Sequence, residues 1–138
     1  MLFLGFYLAC GALANVAQVL ADPASPIPVV GASGAIAGVM GGYLLLFPKA
    51  KIDILVIFVV FFRVFSISAW IVLGLWFALQ LLNGATSTAA SSGIAYWAHI
   101  GGFAAGLVLI FPLFIRLGAA AFWRRTLGHP PHPEKIYA

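Results

Sequence analysis

The sequence predicts an all-α integral membrane protein with about four transmembrane helices. Three observations carry that expectation. First, 64% of the 138 residues are hydrophobic and only 7% are charged, with a mean hydropathy of +1.12. A chain this apolar has too little polar surface to cover itself in water. Second, at ~20 residues per span plus connections, the length holds about four spans and one domain. Third, the cations Lys49, Lys51, Arg116, Arg124 and Arg125 stand at the ends of apolar segments. There they orient a protein in the bilayer, so the net charge of +4 points to topology and a lipid partner, not to nucleic acid. Cys10 is the sole cysteine, which excludes a disulfide framework and leaves a small packing residue.

The first span is expected over residues 2–20, where Gly5, Ala9, Gly11, Ala12 and Ala14 make a small-residue surface suited to close helix contact. It lacks the cationic start of a signal peptide, so it reads as a span. Asn15 and Gln18 near its end face either the interface or a neighbouring helix, and Asn15 reads as a helix-end residue or as a polar helper at a site. Pro23, Pro26 and Pro28 then forbid a regular helix through residues 21–30. The second span, 33–47, is short, ~22 Å against a hydrocarbon core of ~30 Å. Its apolar approach through Ile27, Val29 and Val30 implies a re-entrant loop, covered by protein or lining a wet cavity, with Ser33 at the cavity floor.

Residues 52–82 are too long for one ordinary span. Arg63 divides them, and the part before it is rich in Ile, Val and Phe; the helix is expected at 68–82, and 52–65 reads as an interfacial extension or strand-like loop. Residues 83–93 read as a small polar loop, and 94–115 as the last span, carrying His99. The membrane domain is expected over 1–118, with an amphipathic or disordered tail over 119–138. His129 and His132 in that tail read as flexible residues before they read as metal ligands.

The lysines after the second span and the arginines after the last place both ends inside by the positive-inside rule. The second and fourth spans then run from outside to inside. Ser33 starts one, and His99 lies in the first third of the other, so the two fall at similar depth. A serine hydroxyl needs a base, and imidazole is the usual one. The N–H of Ser33 at a helix start offers a donor for an oxyanion. Gly34 and Gly38 share the face of Ser33, and Gly102 and Gly106 share the face of His99; if the faces meet, the two groups come within reach. No partner carboxylate is evident, since Asp22 lies in a loop and Asp53 beyond the other end, so the reading is a dyad. Glycine faces also serve packing alone, a helix-start serine also serves as an N-cap, and a lone histidine also serves as a structural donor, so the residues leave both readings open.

Gly31-Ala32-Ser33-Gly34 opening a Gly-rich helix, with Ala98-His99-Ile100-Gly101-Gly102 and Gly106 in a later span, resembles the rhomboid family of intramembrane serine proteases. The likeness extends over about 3–117, including Phe6-Tyr7-Leu8-Ala9-Cys10-Gly11 and Leu73-Gly74-Leu75-Trp76-Phe77. It implies Ser33 as nucleophile and His99 as general base, Trp76 and Phe77 as a substrate gate, and no metal or cofactor. It implies transmembrane proteins as substrates, cut where a small-residue segment unwinds. The lack of an organelle-targeting presequence favours a bacterial cytoplasmic membrane, and the cationic ends inside give an expected site open to the outer side and a cytoplasmic C-terminus.

The chain departs from the family pattern. It resembles the last four of six helices. No histidine precedes Asn15 in the family's H-x-x-x-N spacing, and Ala37 stands where many relatives have a tyrosine, for which Tyr96 or Tyr43 would substitute. A chain starting at Met1 is thus expected to be weak or inactive unless another polypeptide supplies the missing helices, and a fragment or misassigned start is the simpler account. The alternatives are an inactive rhomboid-like protein that binds or escorts transmembrane segments, and a small packing subunit of a membrane complex.

Overall fold

The computed structural model describes residues 2–25, 31–58, 61–86 and 93–131. In chain order these form α1 (Leu2–Ala21), α2 (Ser33–Leu46), β1 (Lys51–Phe58), β2 (Phe61–Ser68), α3 (Ala69–Thr86), α4 (Tyr96–Arg116) and α5 (Ala120–Thr126). Helices α1, α3 and α4 are long and apolar enough to cross a membrane. The 14 residues of α2 make the expected short helix. The loop expected to re-enter the membrane before it falls partly on 26–30, outside the described residues.

Helix α2 lies between α1 and α4 because its buried face carries almost no side chain. Gly34, Ala35, Ala37, Gly38, Gly41 and Gly42 are its buried residues. A Cβ on Gly102 would overlap the Gly34 carbonyl, and one on Gly106 the Gly38 carbonyl. On the other side, a Cβ on Gly38 would overlap the Cys10 side chain, and one on Gly101 of α4 would overlap Ala17 of α1. The buried residues of α1 are Cys10, Ala14 and Gln18, one stripe at helical spacing. Its large residues, such as Leu2, Leu8 and Leu20, are exposed, as suits a lipid-facing surface. Helix α3 packs on α4 through Leu73, Phe77 and Gly84, with Phe77 stacked on Phe103 at 4.6 Å between ring centroids.

The all-α expectation needs one correction. Residues 51–68 form an antiparallel hairpin, with Lys51 opposite Ser68 and Ile57 opposite Phe62. Alternating β-branched and aromatic residues favour extended pairing over another turn of helix. The Ser66 hydroxyl donates to the Asp53 carboxylate across the strands. The hairpin's base is fastened to its neighbours, as Ala69 N–H donates to Ala50 O at 2.7 Å and Trp70 N–H to Pro48 O at 3.0 Å.

Two boundaries also differ. Helix α3 continues to Thr86, past the expected end at Leu82, because Asn83 Nδ2 donates to Leu79 O and Thr86 Oγ1 to Leu82 O. Residues that read as loop-formers instead bond back to their own helix. In the tail, α5 folds back onto the bundle. Phe122 packs on Phe47 and Phe114, Trp123 Nε1–H donates to Leu45 O at 3.0 Å, and Lys49 N–H donates to Gly128 O at 2.9 Å. His132 and the rest of the tail lie outside the described residues.

The glycine contacts yield a direct test. Gly106→Ala forces the Gly38 backbone away and is expected to destabilise the bundle by ~1–3 kcal/mol. Gly74→Ala meets open space and is expected to be neutral or stabilising by up to ~1 kcal/mol. Thermal unfolding in one detergent compares them, and equal melting temperatures would refute the close approach of α2 and α4.

Candidate functional site

Ser33 is the first residue of α2, and Ala32 occupies the N-cap without a side-chain capping bond. Gly31 takes φ of +111°, a left-handed conformation that suits glycine and turns the chain into the helix. The first helical hydrogen bond runs from Ile36 N–H to Ala32 O at 3.0 Å. Helix geometry therefore leaves the N–H groups of Ser33, Gly34 and Ala35 without an intrahelical partner. The hydroxyl of Ser33 does not cap the helix. It meets the His99 ring, with Oγ 3.0 Å from Nε2.

His99 lies one turn into α4. Its other nitrogen, Nδ1, is 2.9 Å from Oε1 of Gln80 on α3, a buried residue. Trp76, one helical turn before Gln80, sets its ring 5.9 Å from the imidazole and 6.0 Å from Phe103. The start of α4 is held from the other side by Gln18, whose Oε1 accepts from the Ala98 N–H at 3.1 Å. Ser33 and His99 border a cavity of about 670 Å³, also lined by Asn15, Gly31, Gly34 and Ala98. This cavity joins an exposed hydroxyl to a half-buried imidazole at the open end of an otherwise dry helix contact.

A family model described as Rhomboid domain matches residues 1–116. The chain belongs to the rhomboid family. Members of this family are generally intramembrane serine proteases. No curated protein and no solved structure gave a significant match.

The structure brings Ser33, His99 and all four glycines, Gly34, Gly38, Gly102 and Gly106, to one contact. Trp76 and Phe77 face inward onto α4, Trp76 against the imidazole itself. Tyr43 packs with tilted rings against Phe47 near the far end of α2, and Tyr96 lies beside Gly84, so the aromatic ring against the histidine is Trp76. Ala37, where many rhomboids carry a tyrosine, is buried in a cluster with Leu73 and Phe103. Among the described residues no group of His, Cys, Asp and Glu is arranged for a metal ion.

Gln80 is the site residue that the sequence reading did not single out. Its signal is present: Leu73, Trp76, Phe77, Gln80 and Gly84 follow one helical stripe, and an amide on the packed stripe of an apolar span is placed to bond another helix. If Gln80 accepts from Nδ1–H, the imidazole presents Nε2 as an acceptor to Ser33. Nitrogen-15 NMR of histidine-labelled protein, assigned against His99→Asn, is expected to show protonated Nδ1 and unprotonated Nε2 at neutral pH. The opposite tautomer would overturn that assignment.

Proposed function

We propose that this rhomboid is a serine endopeptidase that hydrolyses peptide bonds of transmembrane-helix substrates through a Ser33–His99 dyad. The observation that carries the reading is the 3.0 Å contact of Ser33 Oγ with His99 Nε2 at the wall of the cavity. Ser33 Oγ attacks the scissile carbonyl while His99 Nε2 takes the hydroxyl proton. The carbonyl oxygen becomes an oxyanion at the N-terminus of α2, where the Ser33 N–H and the helix dipole stabilise it. Asn15, on the same cavity from α1, is a candidate second donor. The tetrahedral intermediate collapses, the C–N bond breaks, and the departing amine takes the proton from His99. Water from the cavity then gives a proton to His99 and attacks the acyl-enzyme. The second tetrahedral intermediate collapses, the acyl C–Oγ bond breaks, and Ser33 Oγ takes the proton back from His99 as the new carboxyl terminus is released.

Three further assignments belong to the same reading. Gln80 is a positioning residue for His99. Trp76 and Phe77, on the helix that closes one side of the site, form the substrate gate. Residues 1–118 form the membrane unit and 119–138 the tail. With Lys49, Lys51, Arg124 and Arg125 at one end, that end is cytoplasmic and the cavity opens to the opposite side of a bacterial cytoplasmic membrane.

A fluorophosphonate probe tests the dyad on the protein in its native membrane. Labelling is expected in the wild type, none in Ser33→Ala, and a rate lower by ~10²–10⁴-fold in His99→Ala. Labelling that survives Ser33→Ala, or no labelling of folded wild type, would sink the proposal. Gln80→Leu is expected to lower kcat by ~3–10-fold, the equivalent of one net hydrogen bond, with KM little changed. Gln80→Glu keeps the acceptor and should recover part of the rate. Equal loss in both variants would reduce Gln80 to a packing residue.

A further inference from the structure

Beyond its polar base, and Arg63 apart, the β1–β2 hairpin has no polar face. Partners across the strands point to the same side, so Ile52, Ile54, Val56, Arg63, Phe65 and Ile67 share one face. The other carries Lys51, Asp53, Ser66 and Ser68 at the base, and Leu55, Ile57, Phe62 and Val64 beyond them. Both faces are uncovered away from the base: Phe62 is 69% exposed, Ile57 60% and Val64 59% on one, and Phe65 46% and Val56 45% on the other. An antiparallel hairpin built for water has a polar side. This one is apolar on both.

We propose that the hairpin is an interfacial membrane anchor, lying in the headgroup and upper acyl region of the anionic leaflet at the cationic end of the bundle. Three observations select that occupant. The hairpin is continuous with the membrane-crossing α3, which begins at Ala69 directly after β2 ends at Ser68. Its base is bonded to the Pro48–Ala50 turn after α2, so it leaves the bundle at a membrane surface with no linker.

The charges match. Lys51 stands at the base, and Lys49 and Arg124 border a groove of about 570 Å³ with Trp123. Arg63 is the one charged residue on the apolar face among the described strand residues, and its guanidinium lies 5.7 Å from the Phe65 ring centroid. Phe65 is nearer the base, so the charge is drawn back toward the headgroups, as a snorkelling arginine is.

The backbone sets the depth. A two-stranded sheet has two outer edges of unpaired N–H and C=O groups, which the hydrocarbon core does not tolerate. The hairpin therefore stays within the interface and tilts, its polar base among the headgroups and its apolar outer half in the upper acyl region, where water still reaches its edges.

Spin labelling of the full chain in nanodiscs tests this. Cys10 is fully buried, so the wild type takes no label and serves as the blank. Nitroxides are introduced singly at Phe62→Cys, Val64→Cys and Asp53→Cys. Power saturation is measured with oxygen and with a water-soluble nickel chelate, in phosphatidylcholine alone and with phosphatidylglycerol. The expected result is an oxygen-to-nickel accessibility ratio several-fold higher at Phe62 and Val64 than at Asp53, rising further with phosphatidylglycerol. Free nickel access at Phe62 and Val64 would place the hairpin in water and overturn the anchor. Shielding from both reagents, with dipolar broadening between labels, would mean a second copy covers it and overturns it equally. A ratio independent of phosphatidylglycerol would overturn the anionic part of the proposal.

Discussion

The contact on which the rest of the structure depends is the backbone approach of α2 and α4. In a bilayer, lipid tails are as apolar as leucine, so helices gain little by hiding hydrophobic surface from lipid. Association rests on dispersion and on how closely the surfaces fit. Gly102 seats on the Gly34 carbonyl and Gly106 on the Gly38 carbonyl, leaving no space for even a methyl group. The same contact sets the chemistry. Ser33 adjoins Gly34 and His99 lies one turn before Gly102, so any bulk that parts the glycines also parts Oγ from Nε2. Packing and hydrogen bond are two consequences of one distance between helices.

Because α2 presents mainly glycine and alanine to α1 and α4, it packs closely on both and carries its first turn to the edge of a cavity. Side chains of ordinary size on that face would push the helix outward and leave its N-terminal N–H groups against lipid, where an unpaired donor costs several kcal/mol (~2–7). The left-handed Gly31 and the short helix therefore belong to one solution: the irregular backbone ends where protein and a cavity surround it.

Much of this was legible in the residues. Three apolar helices, the short second helix and two four-residue glycine spacings each have a local pattern, and the expected run of the spans put Ser33 and His99 at similar depth, where Oγ lies 3.0 Å from Nε2. What stayed hidden depends on rotation and pairing, not on local pattern. Gln80 is one amide in an apolar span, and its partner is fixed by how α3 turns toward α4. Residues 52–65 read as an interfacial extension or a strand-like loop, but the pairing of 51–58 with 61–68 stayed hidden because the outer half is apolar on both faces, which erases the alternation that marks a half-buried strand. Asn83, Gly84 and Thr86 have loop composition, yet two of them bond back to α3 and Gly84 fits beneath Tyr96 and Trp97. The aromatic neighbour of His99 was sought among the tyrosines, while Trp76 reaches it from another helix.

The hidden amide is also the best guide to the physics of the site. A base whose outer nitrogen is held by a carboxylate gains charge stabilisation when it becomes imidazolium, but that carboxylate must first be carried into a membrane protein, at several kcal/mol of desolvation (~2.5–3.5 for aspartate at a helix centre). Gln80 offers the acceptor without the charge. If it accepts from Nδ1–H, it orients the ring and leaves Nε2 as the acceptor toward Ser33 without bringing a charge into the site. Gln18 does the parallel work for the backbone, meeting an N–H of the first turn of α4 with a neutral oxygen. The formal charges at the bundle's ends are instead concentrated near Lys49 and Arg124, the end from which the hairpin emerges. The site at the cavity is thus built from hydrogen bonds of neutral amides, while the cations Lys49 and Arg124 gather at the end where the hairpin is fastened.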